Sequence, residues 1–263
     1  MRIIVCVKQV PSTNEVNMDP VTNTIIREGI ESVLNPFDTY AVEEAIRIKS
    51  ALGGSIATIS MGIPTVEEIL RDTLALGADE GLLLTDRAFA GADTLATAYT
   101  LANGVKKLAP FDLIICGKQA TDGDTAQVGP SLAVQLDIPH ATDISHIESI
   151  DEKKIVCRRL TDDGYELLEM DLPALITVVK EINIPRLPSI AGIRASKKAS
   201  IKKVGVNDLT VDESRLGLKG SPTQVVKTFI PSHDVDCEII TGKPEQQAAT
   251  LVQRLTEKNL LDF

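Results

Sequence analysis

The 263-residue chain is long enough for one large core, or for a core with an appended arm. Its 27 Lys and Arg against 37 Asp and Glu leave a net charge of -10, which disfavours the broad phosphate contacts on which DNA and RNA binding depend. Trp is absent and aromatic residues make up 3%, so stacking platforms for single strands and aromatic boxes for sugars are excluded, and any flat ring must be held by backbone, aliphatic and polar groups.

The chain opens MRIIVCVKQVP, one basic residue and a short apolar run that Lys8 interrupts, too brief for the core of a signal peptide. No apolar stretch approaches the roughly 20 residues that cross a bilayer, so a cytoplasmic protein without membrane insertion is expected. Residues 2–7 (RIIVCV) form a β-branched run of the kind buried on both faces of a sheet, and residues 55–60, 81–85 and 112–117 repeat the signature. Between them lie amphipathic segments of helical length, at 37–52, 64–76, 93–108 and 125–136. Strand and helix alternating at this spacing predict an α/β fold, a parallel sheet wound by right-handed crossovers.

Helix starts are well marked. Asn35-Pro36-Phe37-Asp38 puts a capping side chain before a proline and an acid in the first turn, Pro64 opens the next helix, and Asp93 and Asp124 are placed to cap the helices after them. After residue 136 the pattern becomes period-two alternation, at 144–150, 154–160, 166–170 and 174–179, with a hairpin turn at Asp162-Asp163-Gly164, which reads as an antiparallel extension. Residues 183–203, rich in Pro, Gly, Ser and basic side chains, read as a long exposed loop. The division expected is an α/β nucleotide-binding domain over 1–203 and a C-terminal arm over 204–263. The arm's stripe of Ala248, Leu251, Val252 and Leu255 needs a partner subunit to pack on.

No GxGxxG and no GxxxxGK[ST] occurs, so a nucleotide would be held by another device. In an open parallel sheet the ligand crevice lies at the carboxyl ends of the strands, where helix amino termini converge. That rule selects Val7, Lys8, Val10, Asn35, Asp38, Met61, Gly62 and Gly117, together with Asp122, Gly123, Asp124, Thr125, Ala126, Gln127, Val128 and Gly129. In the last segment Gly123 permits close backbone approach, amides near residues 125–128 favour an anion, and Gly129 leaves the first helical turn without a side chain. The same pattern also describes an ordinary strand-to-helix turn whose acids act as caps, and spacing alone leaves both readings open. Cys6, Cys116, Cys157 and Cys237 lie far apart with no CxxC pair and no His at ligand spacing, so neither a metal site nor a disulfide framework is expected. Cys6 and Cys116 read as packing residues, and His140, His146 and His233 are scattered.

Together, the motifs VCVKQVP (5–11), NPFD (35–38), residues 45–48 and DGDTAQVG (122–129) resemble the successive motifs of the electron-transfer flavoprotein beta family, in order along essentially the whole chain. The resemblance implies a Rossmann-like domain with the winding of adenine-nucleotide hydrolases and universal stress proteins. It also implies a heterodimer with an alpha subunit that carries an electron-transferring FAD. In the family's respiratory members the beta subunit holds AMP beside a loop reading DDD; here Gly123 replaces the central acid, and DGDTAQVG resembles the electron-bifurcating branch, whose beta subunit binds a second FAD that accepts hydride from NADH. That branch sends electrons to an acyl-CoA dehydrogenase, by way of the alpha flavin, and to ferredoxin or flavodoxin. No protein side chain is expected to be catalytic, since the cofactor carries the chemistry. Leu187, Pro188 and Ile190, before Lys197 and Lys198, resemble the family's partner-recognition loop, expected over 184–195. The basic cluster Arg194, Lys197, Lys198, Lys202 and Lys203 reads as a solvated face or as a surface that steers an acidic partner. A universal-stress-type nucleotide sensor shares the winding but lacks the loop and the arm.

Overall fold

The computed structural model describes residues 1–12, 32–226 and 237–261, in two compact units, Met1–Val226 and Lys227–Phe263. In the first, the apolar runs become strands β1 (Arg2–Cys6), β4 (Ser55–Met61), β5 (Glu80–Leu84), β6 (Leu113–Gly117) and β10 (Ala174–Val178). They are joined by helices α1 (Pro36–Leu52), α2 (Glu67–Leu76), α3 (Thr94–Leu108) and α4 (Val128–Leu136). A short ribbon, β2 (Gln9–Pro11) with β3 (Ser32–Leu34), stands apart from the main sheet. The sheet continues through β7 (His140–Ile150), β8 (Lys154–Thr161) and β9 (Gly164–Asp171), and β11 (Lys202–Val204) closes its other edge after helix α5 (Ile190–Ser196).

The nine strands lie in the order β11-β5-β4-β1-β6-β10-β7-β8-β9, parallel from β11 to β7 and antiparallel thereafter. Alternate residues of the central strands enter two cores. On one face Val5, Ile56 and Ile115 pack with Val42 and Ile46 of α1 and with Ile69 and Leu70 of α2. On the other Ile4, Ile59 and Ile114 pack with Leu101 and Val105 of α3 and with Leu132 of α4. Burial on both faces is why these strands read as continuous apolar runs.

Three elements differ from the expectation. The last alternating segment is not part of the antiparallel extension: β10 inserts between β6 and β7 and pairs in parallel with both, and all five of its residues are buried. Its run ALITV is apolar except for Thr177, the mark of a central strand. The expected loop at 183–203 holds α5, whose first turn is capped by Ser189 Oγ accepting from Gly192 N, and then β11, which pairs with β5. The fourth helix starts at Val128 rather than Thr125, because Asp124 and Ala126 take left-handed backbone angles, φ 51° and 54°, that a right-handed helix excludes.

The first unit runs past residue 203 to Val226. Leu209 and Leu216 enter the core beneath α3, and Ser221 Oγ accepts from Asp93 N at 2.8 Å. In the second unit α6 (Pro244–Glu257) has no buried residue; Leu251 and Val252 are half exposed, and Arg254 pairs with Glu238 and Glu257. No helix among the described residues is long and apolar enough to cross a membrane.

Candidate functional site: the carboxyl edge of the sheet

Where β1 ends, the chain is held from three sides. Val7 N donates to Ile59 O at 2.9 Å, Lys8 N donates to Asp38 Oδ2 at 2.8 Å, and Asn35 N donates to Lys8 O at 2.9 Å. The end of β6 meets the same point. A Cβ on Gly117 would overlap Asp38 Oδ1 and lie 2.6 Å from the Phe37 carbonyl carbon, so glycine there lets β6 pass against the first turn of α1.

From Gly117 the loop folds back over this junction. Lys118 N donates to Val178 O, and Lys118 Nζ pairs with Asp143 at 2.8 Å. The Asn35 side chain donates to Gln119 O at 2.9 Å and accepts from Thr121 N at 3.2 Å. Lys8 Nζ reaches Asp122 Oδ1 at 2.6 Å, and the Gln119 side-chain amide donates to Asp124. Lys8, Asn35, Asp38, Gly117, Asp122 and Asp124 therefore form one connected shelf.

The remaining sequence-selected residues sit around it. Residues 121–125 are exposed, whereas Gly129 is buried, where a Cβ would come 2.6 Å from Thr177 Cγ2; glycine lets α4 start hard against β10. Within α4 Ser131 N donates to Gln127 O, and Pro130 has no N–H, so the amides of Val128 and Gly129 precede the helical ladder and are free to face an anion. Met61 ends β4 and Gly62 follows it, its N donating to Leu84 O. Val10 is buried in the β2–β3 ribbon opposite Val33.

Two capping roles read from the sequence belong instead to the site. Asn35 makes no side-chain cap bond to α1, and α4 has no side-chain cap at all; Asn35 spends its amide on the loop and Asp124 its carboxylate on Gln119. Asp93 does cap α3, accepting from Leu95 N and Ala96 N. Lys118 and Gln119, which lie in the candidate run from Gly117 to Pro130, join the site through Asp143 and Asp124.

Burial pushes the Asp38 carboxyl from its ordinary 3.8 up to about 7, despite hydrogen bonds from Asn35 and from the Lys8 and Gly117 amides that favour the charged form. The Lys8–Asp122 pair is solvated and worth little as stability, but it offsets one acid of the loop. Cys6 and Cys116 are register partners on adjacent strands; their mutual hydrogen bond, then burial, pushes the Cys116 thiol well up, so it stays protonated. His140 and His146 are exposed on β7, and His233 lies outside the described residues. Among the described residues no group of three His, Cys, Asp or Glu is placed to hold a metal ion.

A Cβ on Gly123 would meet nothing within 4 Å, the amides of Val128 and Gly129 open α4, and Lys8 pairs with Asp122 within the shelf. The shelf is an open surface. Two surface cavities, of about 350 and 530 Å³, lie elsewhere, beside Tyr99 and Arg215 and beside Ala75 and Ile193.

Residues 22–209 match the model of the electron transfer flavoprotein domain. The chain belongs to the electron transfer flavoprotein family. It is 51% identical over 262 residues, covering 99% of this chain and 100% of the relative, to the electron transfer flavoprotein subunit beta of Thermoanaerobacterium thermosaccharolyticum. It is 47% identical over 263 residues, 99% and 100% of the two chains, to the caffeyl-CoA reductase-Etf complex subunit CarD of Acetobacterium woodii. Protein FixA of Bradyrhizobium diazoefficiens is 40% identical over 262 residues, 97% of this chain and 91% of that one. The protein is thus the beta subunit of an electron transfer flavoprotein.

In this beta subunit the second sequence-selected region, 184–195, is at the surface. Leu187 is 89% exposed, Ile190 74%, and Pro188 stands between them. Arg194, Lys197, Lys198, Lys202 and Lys203 are all exposed, and Lys203 pairs with Glu67 at 2.7 Å.

Proposed function

We propose that this beta subunit holds FAD along the shelf, in a heterodimer with an alpha subunit, and that the complex is of the electron-bifurcating kind. Bound there, FAD would supply the redox chemistry of hydride acceptance from NADH and single-electron transfer towards the alpha-subunit flavin with an acyl-CoA dehydrogenase, and towards ferredoxin or flavodoxin. The chain's own residues bind and orient. The amides of Val128 and Gly129 and the ammonium of Lys8 would hold the pyrophosphate, and the Asn35 side chain holds the loop at Gln119 and Thr121 in place. Val7, Met61 and Gly62 line the strand ends beside it.

The observation that carries this reading is Gly123. It stands where the resemblance to AMP-holding members would put a third acid, and the space beyond it is open, which suits a longer, doubly charged ligand. The similarity to a subunit whose name places it with a caffeyl-CoA reductase supports an acyl-CoA dehydrogenase-like partner, docked through Leu187, Pro188 and Ile190. A cytoplasmic location accords with these soluble partners.

The test is the mass of nucleotide released by acid from the purified heterodimer, followed by rapid mixing with NADH. Two FAD per heterodimer and prompt loss of flavin absorbance are expected. One FAD with one AMP would overturn the reading and make the chain a non-bifurcating beta subunit that holds AMP structurally.

A further inference from the structure

The segment from Asn183 to Ala199 inverts the usual pattern of a surface loop. Its polar side chains tie it to α1 while its apolar side chains face outward. At the near end Asn183 is buried, and its side-chain amide donates to Tyr40 O at 3.0 Å and to Glu44 Oε2 at 2.9 Å. Three residues on, Arg186 grips Glu43 of α1 three times: Nε to Oε2 at 2.7 Å, Nη2 to Oε1 at 3.0 Å, and its own backbone N to Oε2 at 3.2 Å. Glu43 is only 5% exposed, and both oxygens of its buried carboxylate accept from Arg186, with Arg47 Nε adding a longer bond to Oε1 at 3.3 Å. Burial alone would raise the Glu43 carboxyl, yet the Arg186 hydrogen bonds hold it below the usual range.

The far end is pinned as well. A Cβ on Gly192 would overlap the Ala75 carbonyl oxygen, so α5 lies directly on α2. Arg71 of α2 donates to Ser196 O at 2.7 Å and Ala199 O at 2.9 Å, and Glu67 holds Arg71 in turn at 2.6 Å. Between the two pins Ile184 and Leu187 are 85% and 89% exposed. Side chains that bury nothing cannot fix their own orientation, so whatever holds Leu187 outward must act through the backbone, and the adjacent residue is Arg186.

We infer that Glu43 and Arg186 are positioning residues that pre-shape the segment, holding Leu187 ready for an apolar pocket on the redox partner. This rests on the docking role proposed above for Leu187. An anchor ordered before encounter loses less freedom on binding. The pair contributes through the affinity of docking, with no contact to cofactor or to reacting atoms. Glu43 also lies on the helix whose first turn carries Asp38, so the docking segment and the cofactor shelf are fastened to a single element.

The test uses the intact heterodimer with a flavin-containing acyl-CoA dehydrogenase as the redox partner, and the variants R186K, E43Q and L187A. Each is assayed for KM towards the dehydrogenase, kcat, flavin content and amide hydrogen exchange over residues 184–195. R186K and E43Q should each raise KM about tenfold and speed exchange in the segment, with kcat and flavin content unchanged. L187A should raise KM without altering exchange. If L187A raises KM while R186K and E43Q leave both KM and exchange as they were, the clamp is refuted and the docking role stands. If L187A has no effect on KM, the docking role falls, and with it the function assigned to the clamp. Loss of flavin in both clamp variants would also overturn the inference, by showing that the pair supports the fold as a whole.

Discussion

Asp38 makes stability depend on pH in a direction opposite to that of most carboxylates. Its side chain is 6% exposed at the meeting point of β1, β6 and α1, and burial raises its pKa from 3.8 to about 7. A folded-state pKa above the unfolded one means that the folded chain keeps a proton the unfolded chain has released. The contribution is therefore fully present below about pH 4 and is lost as pH rises through about 7. At about 1.4 kcal/mol per pH unit the whole interval is worth about 4 kcal/mol, of which about 3 fall between pH 5 and pH 8. Asp38→Asn keeps an oxygen to accept from Lys8 N but cannot ionise. Denaturant unfolding of the purified complex at fixed protein concentration should show the parent losing about 3 kcal/mol more than the variant between those two pH values. Parallel profiles would refute the reasoning. They would mean that the Lys8 ammonium and the hydrogen bonds from Lys8, Gly117 and Asn35 keep the carboxylate ionised in the folded protein.

Gly117, at the end of β6, and Gly123, in the loop after it, should behave oppositely. Gly117→Ala puts a Cβ into Asp38 Oδ1 and the Phe37 backbone, so thermal or denaturant unfolding should show a loss of about 1–3 kcal/mol; an unchanged midpoint would mean that α1 can move away freely. Gly123→Asp meets open space and should leave the unfolding midpoint unchanged, while a charge beside the phosphates weakens beta-bound FAD by about 1–2 kcal/mol, read as lower FAD content after gel filtration. Unchanged FAD content would place the phosphates elsewhere. Ending the chain at Gly242 removes α6, whose Leu251 and Val252 stay half exposed; assembly with the alpha subunit, followed by analytical ultracentrifugation, should weaken. Assembly at full affinity would show that the helix is not an interface element.

The parallel sheet and its helices were legible because local pattern and tertiary role coincide there. A strand buried on both faces is predominantly apolar, and a helix packed on it is amphipathic. The same logic brought Lys8, Asn35, Asp38 and the loop after Gly117 to one edge, since strand ends and helix starts converge in any such winding. Strand neighbours were less legible. β10 was grouped with the hairpin it follows in sequence, although its place between β6 and β7 is decided by pairing over long separations. Side-chain partners were not legible at all. A buried carboxyl at Asp38, an Asn35 turned from capping to bridging, and an Arg186 gripping Glu43 across 143 positions each depend on which backbones the fold brings within 3 Å or so. Periodicity along the chain records which face a residue turns to the core, and nothing in it records what the residue meets there; that was decided by the tertiary structure alone.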